Sequence, residues 1–251
     1  MPSPQISAAA ARLQAALNLP LAPVAVSFHE QPPQTVPAPS KPVPAGCVFW
    51  QQGAEAAVVT TAKDHALCAI GVHTHNLADP VPSQGAELGA VLGVLGQMTY
   101  VRPEDIPGIP TLRTQPRYVV YEPLAGASSA DVVLLLARNR QSLVLTEATS
   151  QVDGATAPAM GRPACAVVPQ AVGSGNAAMT FGCCGARAYL DAFADDIAIW
   201  ALPAGKLDAY TERIEKIAEA NRVLTEFHRL RGADVAGGAT PTYAESLTRM
   251  G

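Results

Sequence analysis

Residues 177–187, Ala-Ala-Met-Thr-Phe-Gly-Cys-Cys-Gly-Ala-Arg, read as a short strand that delivers two adjacent thiols, flanked by glycines, to the start of a helix. The same order of parts stands earlier in the chain. Cys47 lies in an apolar helix that Gly53 breaks, Ala57-Val58-Val59-Thr60 reads as a strand, and Cys68 comes next with Gly71 just beyond. In the later unit Cys165 lies beside Ala166-Val167-Val168, Gly173 and Gly175 follow, and Ala177–Thr180 leads to Cys183 with Gly185 just beyond. The cysteine gaps are 21 and 18 residues, and each unit follows an apolar strand, Val24–Phe28 or Val132–Ala137. This pattern predicts an internal duplication, with halves over 20–100 and 117–203 packed about a pseudo-two-fold axis. Each half would bring one helix cysteine and one junction cysteine toward that axis.

The remaining segments fit around these units. Ile6–Leu17 is an alanine-rich helix that Asn18 and Pro20 stop. Asp64 is placed to cap a helix through Leu67, Cys68 and Ile70. Glu87–Tyr100 is an apolar helix whose Gly89, Gly93 and Gly96 would let another backbone approach. The proline-rich segments 31–44 and 103–116 read as loops. Tyr118–Tyr121 and Ile197–Leu202 are further strands, and Gln141–Val152 a helix. After Pro203, Leu207, Tyr210, Ile214, Ile217, Leu224 and Phe227 keep helical spacing up to Gly232; the tail beyond reads as frayed, with docking of Pro241–Met250 as the alternative. Alternation of strands and helices gives an α/β class, a mixed sheet with flanking helices. The expected organisation is one domain over 1–251, with a C-terminal helix at 204–231.

Composition narrows the function classes. With 49% hydrophobic and 15% charged residues, 251 residues can bury a sizeable core. A net charge of −4 and the absence of a basic stripe exclude nucleic acid and an anionic membrane as partners. Residues 1–18 lack the basic start and apolar core of a secretory signal. The apolar window Leu88–Leu95 is far shorter than the roughly 20 residues of a bilayer span. The expectation is a soluble cytoplasmic protein, in which five cysteines serve as thiols or ligands and not as disulfides.

Four thiolates form a soft ligand set that suits zinc or an iron–sulfur cluster. Structural zinc favours close pairs of the C-x-x-C kind, and none occurs here. Widely separated single cysteines suit a cluster buried between elements. Cys68 and Cys183 open helices, where backbone N–H groups favour the thiolate. Arg187, one turn after Cys183, is a candidate to stabilise a thiolate or hold an anionic substrate; the alternative is an ion pair with Asp191. His65, three residues before Cys68, is a candidate ligand or proton donor, against the alternative of a helix-start cap. His73 and His75 point apart on a helix and share no metal. Dinucleotide, phosphate-loop and serine-elbow motifs are missing from the sequence. The same spacing also allows ordinary buried thiols.

The chain resembles the domain of unknown function 169 family. The resemblance rests on Pro23-Val24-Ala25-Val26, Cys47, Asp64-His65 leading to Cys68 and Gly71, Ala130-Asp131-Val132-Val133, Pro163-Ala164-Cys165-Ala166 with Pro169, and Gly182–Arg187, with the Asp195-Asp196 turn and the strand ending at Pro203. It implies that Cys47, Cys68, Cys165 and Cys183 belong together, while Cys184 falls where the family pattern varies. The reading that follows is an iron–sulfur protein, with a four-iron cluster on those four cysteines. It would be a redox or sulfur-handling enzyme, with Arg187 and His65 near the approach. Its partners would be a small-molecule substrate or an electron donor, and a homo-oligomer is compatible with it. The alternatives are a non-catalytic zinc- or copper-binding or sensing protein, and a small-molecule-binding domain with structural cysteines.

Overall fold

Strand β4 (Val132–Arg138) shows why the sheet is covered on both faces. Val132, Leu134 and Leu136 point to one apolar cluster, Val133, Leu135 and Ala137 to another, and none is more than 1% exposed. The computed structural model that shows this describes residues 3–249, with the side chain of Cys184 outside the description. β1 (Val24–His29) lies beside β4, antiparallel to it. Outside β1 come β3 (Tyr118–Pro123) and then β2 (Val58–Thr60). Outside β4 come β7 (Ile197–Pro203), β6 (Ala178–Thr180) and β5 (Ala159–Met160), only the last pair being parallel. The fold is therefore a mixed seven-stranded α/β sheet.

The registers on the two sides of the sheet correspond. Val24 opposes Pro123, and Val132 opposes Pro203; Thr60 opposes Val119, and Thr180 opposes Ile199. At the centre Ala25 opposes Val133, Val24 opposes Leu134 and Val26 opposes Val132, a pairing that is unchanged when the two sides are exchanged. Leu124 N–H donates to Pro23 O at 2.8 Å, and Ala204 N–H to Asp131 O at 3.0 Å, at equivalent places. β5 has no counterpart on the other side.

One face carries α1 (Pro4–Leu17), α5 (Asn139–Val152) and α8 (Leu207–Ala236), packed through Leu13, Leu145, Tyr210 and Ile214 against Leu135 and Trp200. The other face carries α2 (Val48–Glu55), α3 (Ala69–Thr74), α6 (Val167–Ser174) and α7 (Cys184–Tyr189). α4 (Ser83–Gln97) lies against α3, and α9 (Tyr243–Thr248) against α8. Among the described residues no helix is long and apolar enough to cross a membrane.

Several local expectations are corrected. Gly53 does not break α2. A Cβ there would stand 2.7 Å from the Tyr121 Cβ, so glycine is what lets the helix lie on β3. Asp64 caps no helix; its carboxylate accepts from Thr61 N–H at 2.7 Å and Thr61 Oγ1 at 2.8 Å, closing the turn before Cys68. Gly89 and Gly93 of α4 have nothing within 4 Å, and Gly96 meets only the carbonyl oxygen of Val101, in the turn just past the helix, at 3.8 Å. α8 passes Gly232 and ends before Gly237, a mid-helix glycine costing only about 1 kcal/mol. The tail then turns back, with Arg231 over the Tyr243 ring at 4.6 Å and bonded to Pro241 O.

Three buried polar side chains give tests of this architecture. The Asp153 carboxylate, 3% exposed, accepts from Ala177 N–H at 2.9 Å, Lys206 Nζ at 2.9 Å and Tyr210 OH at 2.8 Å, joining α5, β6 and α8. Asp153→Ala is expected to cost about 2–3 kcal/mol, seen as a melting midpoint lower by roughly 4–12 °C. A change under 1 °C would contradict this tie. His65 and His75 are buried with ring centroids 6.3 Å apart, and burial lowers them to about 3 and about 4. Below the ordinary value of 6.5 the unfolded chain takes up protons that the folded one refuses, so stability falls as pH drops. The slope is about 1.4 kcal/mol per pH unit for each histidine. Unfolding in urea between pH 7 and pH 5 should show this slope, and His75→Asn should reduce it; a flat profile over that range would contradict it.

Candidate functional site

Each of the four widely spaced cysteines stands where a helix begins on the same face of the sheet. Cys47 precedes α2, which is held down by buried Phe49, Trp50 and Ala54. Cys68 precedes α3, its N–H donating to His65 O at 2.8 Å across the turn that Asp64 closes. Cys165 lies in the 3₁₀ turn Ala164–Ala166, which runs into α6 and against which α3 packs. Cys183 precedes α7, and its Sγ accepts from Ala186 N–H at 3.4 Å. The chain reaches Cys183 through Gly182 at φ +83°, where a side chain would also meet the Phe193 ring at 2.3 Å. Cys184 is the first residue of α7, and its side chain lies outside the described residues.

All four thiols line one cavity of about 600 Å³. Its opposite wall is α4, through Leu88, Val91, Leu92 and Leu95, and Arg102, Asp105 and Arg162 also border it. Arg102 is taken up by Asp105 at 2.6 Å and 2.9 Å. Arg162 donates to Tyr100 O at 3.1 Å and forms no ion pair among the described residues.

The four thiols are free. Burial, then the charges of Cys68 and Cys183, pushes Cys47 up to about 12. Burial, then Cys68, also raises Cys165, against a hydrogen bond from Thr74 that lowers it. The mutual influence of these groups reflects their closeness. A cation among them would remove the penalty, because a bound soft metal deprotonates its thiol ligands. Among the described residues no three Cys, His, Asp or Glu side chains form a group that could hold one metal ion. In this arrangement the thiols border a space and do not converge on a point, and a multinuclear group spreads its ligands wider than one ion does. Tyr121, in the same core cluster as Cys47, is buried and its hydroxyl has no hydrogen-bond partner among the described residues.

The two expected catalytic residues do not border the cavity. His65 is 1% exposed; its Nε2 shares a hydrogen bond with Thr60 Oγ1 at 3.1 Å, and its Nδ1 is packed toward Gly46 without a partner. Arg187 lies behind the cysteine motif, donating to Phe181 O at 2.6 Å and stacking over Phe193 at 4.6 Å. Its carboxylate neighbour is Asp195 at 3.6 Å and not Asp191. His73 borders the cavity while His75 is buried, so the two do point apart. Tyr121, Thr74 and Arg162 escaped sequence reasoning, since single residues of these types carry no pattern. The cavity wall did have a signal: the run Leu88–Leu95 is apolar around most of the helix, as a helix facing a cavity on one side and solvent on the other need not be.

Comparison with known proteins gives one match. Searches of curated proteins and of solved structures return none. The DUF169 family model, described as uncharacterised ArCR, matches residues 12–213, a span that includes all four cavity cysteines and the whole sheet. The chain belongs to the domain of unknown function 169 family.

Proposed function

We propose that Cys47, Cys68, Cys165 and Cys183 hold an iron–sulfur cluster of the four-iron type at the base of a small-molecule cavity, in a redox or sulfur-handling enzyme of the cytoplasm. The observation that carries this reading is the arrival of four free thiols, from four separate points of the chain, at one cavity. Supporting it, the two sides of the sheet share their strand registers, as two copies of one unit would, with one helix-start cysteine and one junction cysteine each. A reducing compartment keeps such thiols available.

A cluster bound there supplies electron transfer or a thiophilic contact for the substrate. The chain's own residues do the rest. α4 faces the thiols across the cavity with the apolar side chains of Leu88, Val91, Leu92 and Leu95. Arg162, which forms no ion pair among the described residues, offers its guanidinium to an anionic end of the substrate, whose apolar body would lie along Leu88, Leu92 and Leu95. Arg187 stiffens the Gly182–Cys183 turn through Phe181 O, acting on the site through the backbone.

A second reading keeps the cavity and removes the cluster: a binding protein whose cysteines are wall. The upward shifts of Cys47 and Cys165 favour it, because protonated thiols are good apolar lining. Zinc or copper on the same thiols is the third. Protein purified without oxygen separates them. Iron and acid-labile sulfide in near-equal amounts, with broad visible absorbance, is the expected result. One zinc per chain without sulfide would replace the cluster by a single ion, and no metal at all would leave the cavity alone.

A further inference from the structure

Helix α4 is packed in a way that its composition does not lead one to expect. It is apolar along its length, with Glu87 as its one charged residue, yet the residue it buries is the polar Gln84. Leu88, Val91, Leu92 and Leu95 face the cavity, and Val94 is 54% exposed. A helix that is hydrophobic all round is ordinarily buried. A side chain at Gly85, Gly89 or Gly93 would meet nothing within 4 Å, so no neighbour requires glycine there, and each glycine weakens the helix relative to alanine.

The two ends of α4 are held very differently. At the start, Gln84 Nε2 donates to Ala62 O at 3.0 Å and His65 O at 3.2 Å, and its Oε1 accepts from Val81 N–H at 2.7 Å. Just ahead, Ala78 N–H donates to Pro116 O at 2.9 Å and Arg117 pairs with Asp79 at 2.5 Å. Past the last turn, one hydrogen bond ties the chain to a distant segment among the described residues, from Arg162 to Tyr100 O at 3.1 Å. Beside it Thr99 stands at φ +58°. That conformation is unfavourable for a β-branched residue and persists only while its surroundings hold it.

We infer that α4 is a lid over the thiol cavity, hinged at its Gln84 end and latched at its Tyr100 end by Arg162. Opening breaks the Arg162–Tyr100 bond, lets Thr99 relax and unwinds the glycine-rich later turns. The leucine wall then moves off the cavity, and a ligand enters between it and the four thiols. The remaining N–H groups of Arg162 stay open to an anion in either state. Elements that open in this way are drawn from the least stable part of a fold, and closure over a bound ligand keeps water from it. The inference follows from the packing of α4 alone and is independent of what the thiols hold.

Hydrogen exchange on the full chain, read by mass spectrometry, tests this in wild type, Arg162→Gln and a variant carrying both Gly89→Ala and Gly93→Ala. Beside it, the rate at which N-ethylmaleimide labels Cys47 is measured after a chelator has removed any bound metal. In wild type the amides of residues 89–101 should exchange faster than those of α2 and α6. Arg162→Gln should speed both that exchange and the labelling of Cys47 by roughly three- to tenfold, the worth of one hydrogen bond. The double alanine variant should slow both, because its side chains enter open space and stiffen the helix. Wild-type exchange in 89–101 as slow as in α2 and α6 overturns the lid. Faster exchange in Arg162→Gln without faster labelling of Cys47 also overturns it, since the thiols would then be reached by another way. An Arg162→Gln protein that exchanges like wild type, or that exchanges faster in α2 and α6 to the same degree, overturns the latch.

Discussion

Val24, Ala25 and Val26 of β1 face Leu134, Val133 and Val132 of β4 in antiparallel register, all of them at most 1% exposed. Everything else is hung from this pair. β3 and β7 add on either side with matching registers, and β2 and β6 add outside those. Because side chains alternate along a strand, a slip of one residue would exchange the two faces of the sheet. The face that takes α2, α3, α6 and α7 would then lose the Val24, Val26, Val132 and Leu134 surface on which they sit. The cysteines are placed by that surface, since each stands at the start of an element packed on it.

The site departs from the rules that the rest of the core obeys. Cys47 and Cys165 sit in a desolvated region at helix starts, where burial opposes the thiolate that the N–H groups favour. A tyrosine hydroxyl and three ring nitrogens, of Trp50, His65 and His75, are buried without partners among the described residues. Gly182 holds a positive φ against an aromatic ring to aim Cys183. Sites of function are where such departures concentrate, and a cation among the thiols would resolve the first of them. The contrast is Asp153, equally buried, whose carboxylate has every neighbour it needs and reads as structure.

Much of this was legible in the residues. The continuous apolar run of β4, the alternation in β1 and the spacing of Leu207, Tyr210 and Ile214 in α8 each follow from which faces are covered. That Cys47, Cys68, Cys165 and Cys183 border one cavity agrees with the set that both the spacing of parts around them and the family resemblance select. Features that depend on a distant partner were not. Gly53 reads as a breaker until Tyr121 is seen beneath it, and Gly232 as a stop until Arg231 and Tyr243 are seen to dock the tail. Arg187 offers helical spacing to Asp191, but α7 ends at Tyr189, so the turn beyond brings Asp195 to it instead. Tyr121 sits in an ordinary strand pattern, and nothing local marks its hydroxyl as orphaned.

The central claim is that four cysteines act as one ligand set. Replacing each of the five cysteines by serine in turn, and measuring iron and acid-labile sulfide per chain on anaerobically loaded protein, tests it most directly. The account predicts that Cys47→Ser, Cys68→Ser, Cys165→Ser and Cys183→Ser each lose most of both, while Cys184→Ser keeps them. Full loading in any of the first four, or loss in Cys184→Ser alone, would contradict it.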